Sequence, residues 1–331
     1  MRPLRRRLAL WAILVLIALP LAAPVAAKDS IRSEHQRVVD YWTPARMQSA
    51  IPRDFVKVGS AFQPKAKPPK PPGGGGGGGG VVKGASWTQG GPVLARTGKV
   101  FFTMAGVRYV CSGSVATDSR SGVSLVLTAA HCAYDEVEEA FATDWLFIPA
   151  YDSAPTTTCS QTAYGCWTAT ALVVHDGYAS AGGFNTQATV HDFAFAVVGA
   201  GGTSGSAQLD QAVGSYGVST SGVSAGNKLY AFGYPAAGKY KGRDLVYCAG
   251  PIFTDVYNDD LTWGMACNMT GGSSGGPWLA GFEASQSNAT LSSLNSYGYQ
   301  GLSNMYGPRF NADTADVYGA ANSANGNTIV H

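Results

Sequence analysis

The stretch Val190-His191-Asp192-Phe193-Ala194-Phe195-Ala196-Val197-Val198 opens on an acid and continues as an apolar run. Phe193 to Val198 reads as a buried strand, with the Asp192 carboxylate held at the rim of a core. Similar runs recur between Gly, Ser and Asn turns: Lys99 to Met104, Val107 to Ser114, Ser124 to Thr128, Trp145 to Pro149, Ala169 to Val174, Leu229 to Gly233, Leu245 to Gly250, Pro277 to Gly281 and Ser292 to Tyr297. Their period is two rather than 3.6, so an all-β barrel or sandwich is expected. With 43 Gly and 17 Pro in 331 residues, turn formers are too frequent for a helical bundle or a long coiled coil. A short closing helix is expected over Thr314 to Asn322.

The front of the chain is built differently. Arg2, Arg5, Arg6 and Arg7 precede the apolar run Leu8 to Leu19, and Val25-Ala26-Ala27 offers small residues for cleavage. Residues 1–27 therefore read as a secretory signal peptide, with Lys28 as the new N-terminus. Residues 28–80 read as a basic pro-segment and linker, containing a short helix near Ser33 to Tyr41, then Pro64-Lys-Ala-Lys-Pro-Pro-Lys-Pro-Pro72 and eight glycines. The residues after those glycines read as neither strand nor helix and hold no Lys-Ser/Thr pair, so a phosphate loop is not expected. Residues 28–72 carry nine Lys and Arg against four Asp and Glu, net +5, whereas the chain from Gly73 onward is net −7. A basic tract of this kind reads first as a solvated arm, and otherwise as a segment attracted to an acidic domain. The overall charge of +2 offers no case for nucleic acid. Export places the six Cys in an oxidising compartment, so disulfides are expected rather than zinc, whose closely paired ligands are absent.

Three places carry chemistry. Leu127-Thr-Ala-Ala-His131-Cys132 ends a β-run on one His beside a Cys; Asp192 heads the strand quoted above; and Thr270-Gly-Gly-Ser-Ser274-Gly-Gly-Pro277 surrounds a Ser with backbone that only Gly permits. Peptide hydrolysis needs a nucleophile, a base, a group orienting that base, and donors for the developing oxyanion. Ser274, His131, Asp192 and the Gly272 and Ser274 amides would supply all four. A histidine base loses its proton-accepting form in acid, so activity should fall there.

At these residues the chain resembles the trypsin/chymotrypsin-like serine peptidases, with their T-A-A-H-C box, Asp before an apolar strand, and G-D-S-G-G-P. The resemblance covers roughly Gly98 to Phe310. It implies two six-stranded antiparallel β-barrels, about 98–200 and 201–311, within a peptidase domain over 81–331. It implies a peptide or protein substrate, no cofactor, no metal, a monomer, and the pro-segment as a further partner. Ser296-Tyr297-Gly298 resembles the family's S-W-G strand, where the Ser supports the Asp and the backbone pairs with extended substrate. Cys111 with Cys132 resembles the family's bridge beneath the His; sequence neighbours then suggest Cys159 with Cys166 and Cys248 with Cys267, among fifteen connectivities.

The departures matter as well. Ser273 replaces the family's Asp that receives a new N-terminal ammonium in animal members, and G-S-S-G-G-P is closer to bacterial members, including those near glutamyl endopeptidases. The mature N-terminus is expected between Val81 and Lys99, with Arg96-Thr97 as one cut. Asn268 stands where trypsin-like members place a specificity Asp, and Asn295 where glutamyl-specific members place a His. A neutral pocket involving Asn268, Met269, Thr270 and Tyr299 is therefore expected. Asp176, after His175, is the rival to Asp192, but no apolar strand follows it. His175 and His191 read as ordinary surface residues, and Asp135-Glu136-Val137-Glu138-Glu139 as a solvated loop rather than a calcium site. The alternative to an enzyme is a secreted binding or adhesion module on the same fold whose chemistry has lapsed. N-terminal sequencing of the exported chain should begin at Lys28 or within a few residues of it.

Overall fold

The computed structural model describes residues 34–58, 61–64, 80–151, 158–284 and 288–331. The expected signal peptide, residues 1–27, and most of the expected Pro/Gly linker lie outside these residues. The first half is a closed six-stranded antiparallel barrel, formed by Thr97–Met104, Val107–Ala116, Ser124–Thr128, Ala194–Val198, Trp167–His175 and Thr143–Pro149 in spatial order. Pairing of Val107–Ala116 with Ser124–Thr128 closes the ring. The apolar side chains of these strands are buried on both faces of the barrel wall: Phe101 and Phe147, which the register puts on opposite faces, are both fully buried, as are Leu127 and Phe195.

The register of this barrel builds half of the site. Ala194 pairs with Thr128 across an antiparallel ladder, so the residues just before Ala194 and just after Thr128 leave the sheet at the same end. Asp192 and His131 are those residues. Past Thr128 the chain turns through a short 3₁₀ segment, Ala130–Cys132, and Cys132 is tied to Cys111 on the neighbouring strand.

The second half lays its strands over two sheets. One contains Gly217–Val218, Thr290–Leu294, Pro277–Ala280, Lys228–Gly233, Val246–Pro251 and Val82–Ser86; the other contains Phe253–Thr254, Thr262–Ala266, Asn304–Pro308 and Tyr297–Tyr299. The chain passes from one sheet to the other at Asn295 and Ser296, where the ladder is interrupted and both side chains turn to the site. The apolar runs of the sequence match these strands to within a residue or two, except Ser292 to Tyr297, which spans the break between Thr290–Leu294 and Tyr297–Tyr299. The closing helix is Ala312–Ala321, capped by Asn311, whose side chain accepts the Thr314 N–H. It packs on the first barrel, and Thr328–Val330 adds a parallel strand beside Val173–His175.

Over its described residues, 34–58 and 61–64, the basic front segment is folded, unlike a solvated arm. Residues 34–41 and Pro44–Ser49 are helical, and Val38, Trp42 and Met47 join the main core cluster. Arg37 reaches Asp144 at 2.8 Å. Three apolar side chains spaced along two short helices suffice to dock a segment whose overall composition is polar. Ile51–Pro52, Phe55–Val58 and Ala61–Pro64 then add strands to the body. Farther on, Val82–Ser86 pairs with Val246–Ala249 and Trp87 is buried, so a cut at Arg96–Thr97 would detach an integral strand.

Lys99 lies inside the structure at 6% exposure, its Nζ donating to the Gly242 carbonyl at 2.9 Å and standing over the Tyr151 ring. Burial lowers its pKa to about 7, against 10.5 for the free side chain. Between those values the unfolded chain binds the extra proton, so the contribution of Lys99 makes stability rise with pH across that window. Lys99→Met should remove this rise and increase Tm at pH 7 by a few degrees, as measured by thermal unfolding at several pH values.

Candidate active site

His131 and Asp192 are fully buried and bonded twice: Nδ1 of the imidazole lies 2.8 Å from Asp192 Oδ2, and the His131 backbone N–H donates to Oδ1 at 2.9 Å. Ser296, from the second half, donates its hydroxyl to the same Oδ2. The carboxylate thus has three donors, which offsets the cost of burying its charge. This arrangement fixes the imidazole plane and leaves Nε2 pointing away from the acid. Among the described residues Nε2 makes no hydrogen bond. Asp176 does not join this group; it begins a helical turn, Asp176–Ala179, and faces His331 at 3.8 Å.

Ser274 sits on the loop between the two sheets of the second half, with its carbonyl accepting the Ser112 N–H at 2.7 Å and lying 4.0 Å from Cys132 Sγ. The loop is brought against the residue next to His131. Its turns require glycine. Gly272 has φ +94°, and a Cβ there would stand 2.8 Å from Ala236 Cβ; Gly275 has φ +80°, and a Cβ there would stand 2.2 Å from Thr128 Oγ1. Among the described residues the Gly272 and Ser274 N–H groups have no intramolecular acceptor, as suits a pair of donors for an external oxygen. Ser273 is buried and bonds Thr270 O through its own hydroxyl at 2.8 Å, which satisfies it without an ammonium.

Of the other residues singled out, Asn268 accepts from Tyr240 OH at 2.6 Å and its N–H bonds Lys83 O. Met269 belongs to the second hydrophobic cluster, and the Thr270 hydroxyl bonds Ala237 O at 2.8 Å. All three thus brace the loop and its neighbouring strand. The Tyr297 and Tyr299 hydroxyls donate to Asp255 Oδ2 at 2.6 and 2.7 Å. Burial, and then the carboxylate beside them, raises the pKa of both phenols. Gly298 lies between these tyrosines on the strand Tyr297–Tyr299. The three bridges are Cys111–Cys132, Cys159–Cys166 and Cys248–Cys267.

Several contributors carried no signal in the sequence. Ser112 ties the halves together, its Oγ donating to Gly272 O at 2.8 Å and accepting from Tyr234 N–H at 2.9 Å. Asn295 accepts from Trp278 Nε1 and donates to Phe232 O and Ser273 O, so it pins the loop that carries Ser274. Asp255 is buried among hydroxyls. A lone Ser, Asn or Asp in a strand-rich chain has no spacing to mark it. The acidic loop also differs from a solvated one: Glu136 is 3% exposed and accepts Tyr178 OH at 2.7 Å and the Arg53 guanidinium at 3.3 Å. His175, His191 and Asp313 gather near the surface, but His175 Nδ1 already accepts the Gly177 N–H and His191 Nε2 already faces Asp313.

No family model and no curated protein sequence matches the chain. Solved structures do. The protease Anisep from Arthrobacter nicotinovorans is 39% identical over 70% of this chain and 97% of its own, with a TM-score of 0.59. The thermostable serine protease AL20 from an extremophilic microorganism is 33% identical over 70% and 99%, at 0.60. A Glu endopeptidase shares the fold at 17% identity and 0.55, covering 73% and 98%. Identity at this level over nearly the whole of two bacterial proteases places the chain in their family: it belongs to the chymotrypsin-like serine proteases, in the bacterial branch.

Proposed function

We propose that the protein is an exported serine endopeptidase in which Ser274 attacks the scissile carbonyl, His131 takes the nucleophile's proton at Nε2, and Asp192 orients the imidazole. The Gly272 and Ser274 N–H groups stabilise the oxyanion of the tetrahedral intermediate. His131 then gives its proton to the leaving amine, and the acyl-enzyme on Ser274 is hydrolysed by water that His131 activates. The edge of Tyr297-Gly298 pairs with the extended substrate, and Tyr299 lies along the same strand. The single observation that carries this reading is the doubly bonded His131–Asp192 pair, with Nε2 left for a proton and Ser274 on a glycine-strained loop beside it. Three disulfides and the basic, apolar first 27 residues support export.

The test is fluorophosphonate labelling of the exported, processed protein beside a Ser274→Ala control, followed by intact mass. One label per chain, lost in the control, is expected. A folded and processed sample that takes no label would leave a binding module on a peptidase fold as the better description.

Two substitutions grade the mechanism. Asp192→Asn should keep the fold but lower kcat by about 10⁴, because the imidazole is held in the wrong tautomer. Gly272→Ala forces φ out of the left-handed region and displaces one oxyanion donor. A loss of about 10²–10³ in kcat with little change in KM is expected from steady-state kinetics.

A further inference from the structure

A peptidase must admit a polypeptide, yet His131 and Asp192 are wholly buried and Ser274 is 3% exposed. What lies over them is the chain's own front segment. Ile51 and Pro52 pair in parallel with Tyr109 and Val110 of the first barrel. The Arg53 guanidinium donates to the carbonyls of His131 and Tyr134 and sits 3.3 Å from Glu136 and 3.5 Å from Asp135, at the inner end of the acidic loop. Pro52 and Asp54 press on Gly271, next to the oxyanion loop: a Cβ there would stand 2.7 Å from Asp54 Oδ2. Phe55 is edge-on to the His131 ring at 5.4 Å and stacked on Phe184 at 4.0 Å. Phe55–Lys57 then pair residue by residue with Tyr297–Tyr299, and Phe62 covers Tyr297 from the returning strand.

The direction of this pairing is informative. Tyr297–Tyr299 leads away from Ser296, which holds Asp192. The acyl part of a substrate ends at Ser274 and must approach along that strand toward Ser296, antiparallel to it. The leaving part departs on the His131 side, since that imidazole protonates its amine. The front segment runs the opposite way: Pro52 and Arg53 lie on the His131 side, and Phe55–Lys57 follow along Tyr297–Tyr299 in parallel. In a reversed chain each peptide nitrogen lies away from His131, so the amine cannot be protonated as it leaves.

On the peptidase reading of this site, we infer that Ile51–Val58, backed by Ala61–Pro64, is a built-in inhibitor that occupies the substrate cleft in reversed chain direction and is not cut there. Charge complementarity supports the pairing where the segment meets the domain, since Arg53 faces Asp135 and Glu136, Arg37 faces Asp144, and the chain from Gly73 onward is net −7. Hydrophobic anchoring by Trp42, Met47 and Phe55 keeps it in place. The mature enzyme is therefore expected to bind residues 34–64 as a separate ligand even after the connecting chain is severed.

The test uses the full chain with a site for a sequence-specific protease placed in the Gly73–Gly80 run. Fluorophosphonate labelling is timed before and after severing, in the unaltered segment and in Arg53→Gln/Phe55→Ala, with circular dichroism to verify folding. The unaltered segment should slow labelling at least tenfold relative to the double variant. An excess of a synthetic peptide of residues 34–64 should restore slow labelling to the severed double variant, and mass spectrometry should find residues 51–58 intact. Should the double variant not fold, Val56→Pro, placed in the strand that pairs with Tyr297–Tyr299 and with Ala61–Pro64 and remote from the Arg53 contacts, gives the same readout. Equal labelling rates in folded proteins, or a cut within residues 51–58, would overturn the inference. Failure of the peptidase reading looks different: no form takes label, the double variant included, and both ideas fall.

Discussion

One buried carboxylate organises the molecule. Asp192 takes donors from the backbone and the ring of His131, both on the first barrel, and from the hydroxyl of Ser296 on the second half. An ion in this position is tolerated only when its acceptor sites are filled, and removal of one partner leaves charge without compensation. The joint between the halves therefore falls at the site itself. Ser112 repeats the arrangement, joining a first-barrel strand to Gly272 and Tyr234. The relative position of the His131 imidazole and the Ser274 loop is thus set by hydrogen bonds that cross from one half to the other, and not by either half alone.

The second constraint is steric. The loop Gly271–Gly276 passes so close to Ala236, Thr128 and Phe232 that side chains are excluded at several positions, and two of its residues need a left-handed backbone. Such strain persists only where the surroundings overdetermine it. Asn295 supplies much of that by holding Ser273 and Phe232 carbonyls at once. The break between the two sheets at Asn295 and Ser296 has the same origin, because both side chains are committed to the site and their backbone cannot continue one ladder.

Much of this was legible in the sequence, and the residues show why. The barrel strands announce themselves because their apolar side chains alternate or fill both faces over five or more positions, and His131, Asp192 and Ser274 stand beside such runs or among glycines. The short strands Phe253–Thr254 and Asn304–Pro308 were not legible, since two to five residues with Gly or Pro among them carry no period. The docking of the front segment was hidden for another reason. Arg53 finds Glu136 some eighty residues away, and neither residue indicates the other; a basic tract and an acidic loop each read locally as solvated. The roles of Asn268, Met269 and Thr270 as braces depend on Tyr240, Ala237 and the second core, partners that only the folded chain brings near.

The end of the chain has a consequence for what can enter the cleft. After the last strand of the second half, Ala312–Ala321 and Thr328–Val330 return to the first barrel and pack on its strands. No disulfide spans the two halves, but this returning strap and the crossing hydrogen bonds hold the walls of the cleft at a set spacing. On the proposed peptidase reading, a chain that pairs with Tyr297–Tyr299 does so extended, as Phe55–Lys57 does, so a folded protein would offer substrate at a frayed end or at a loop that can be drawn out straight.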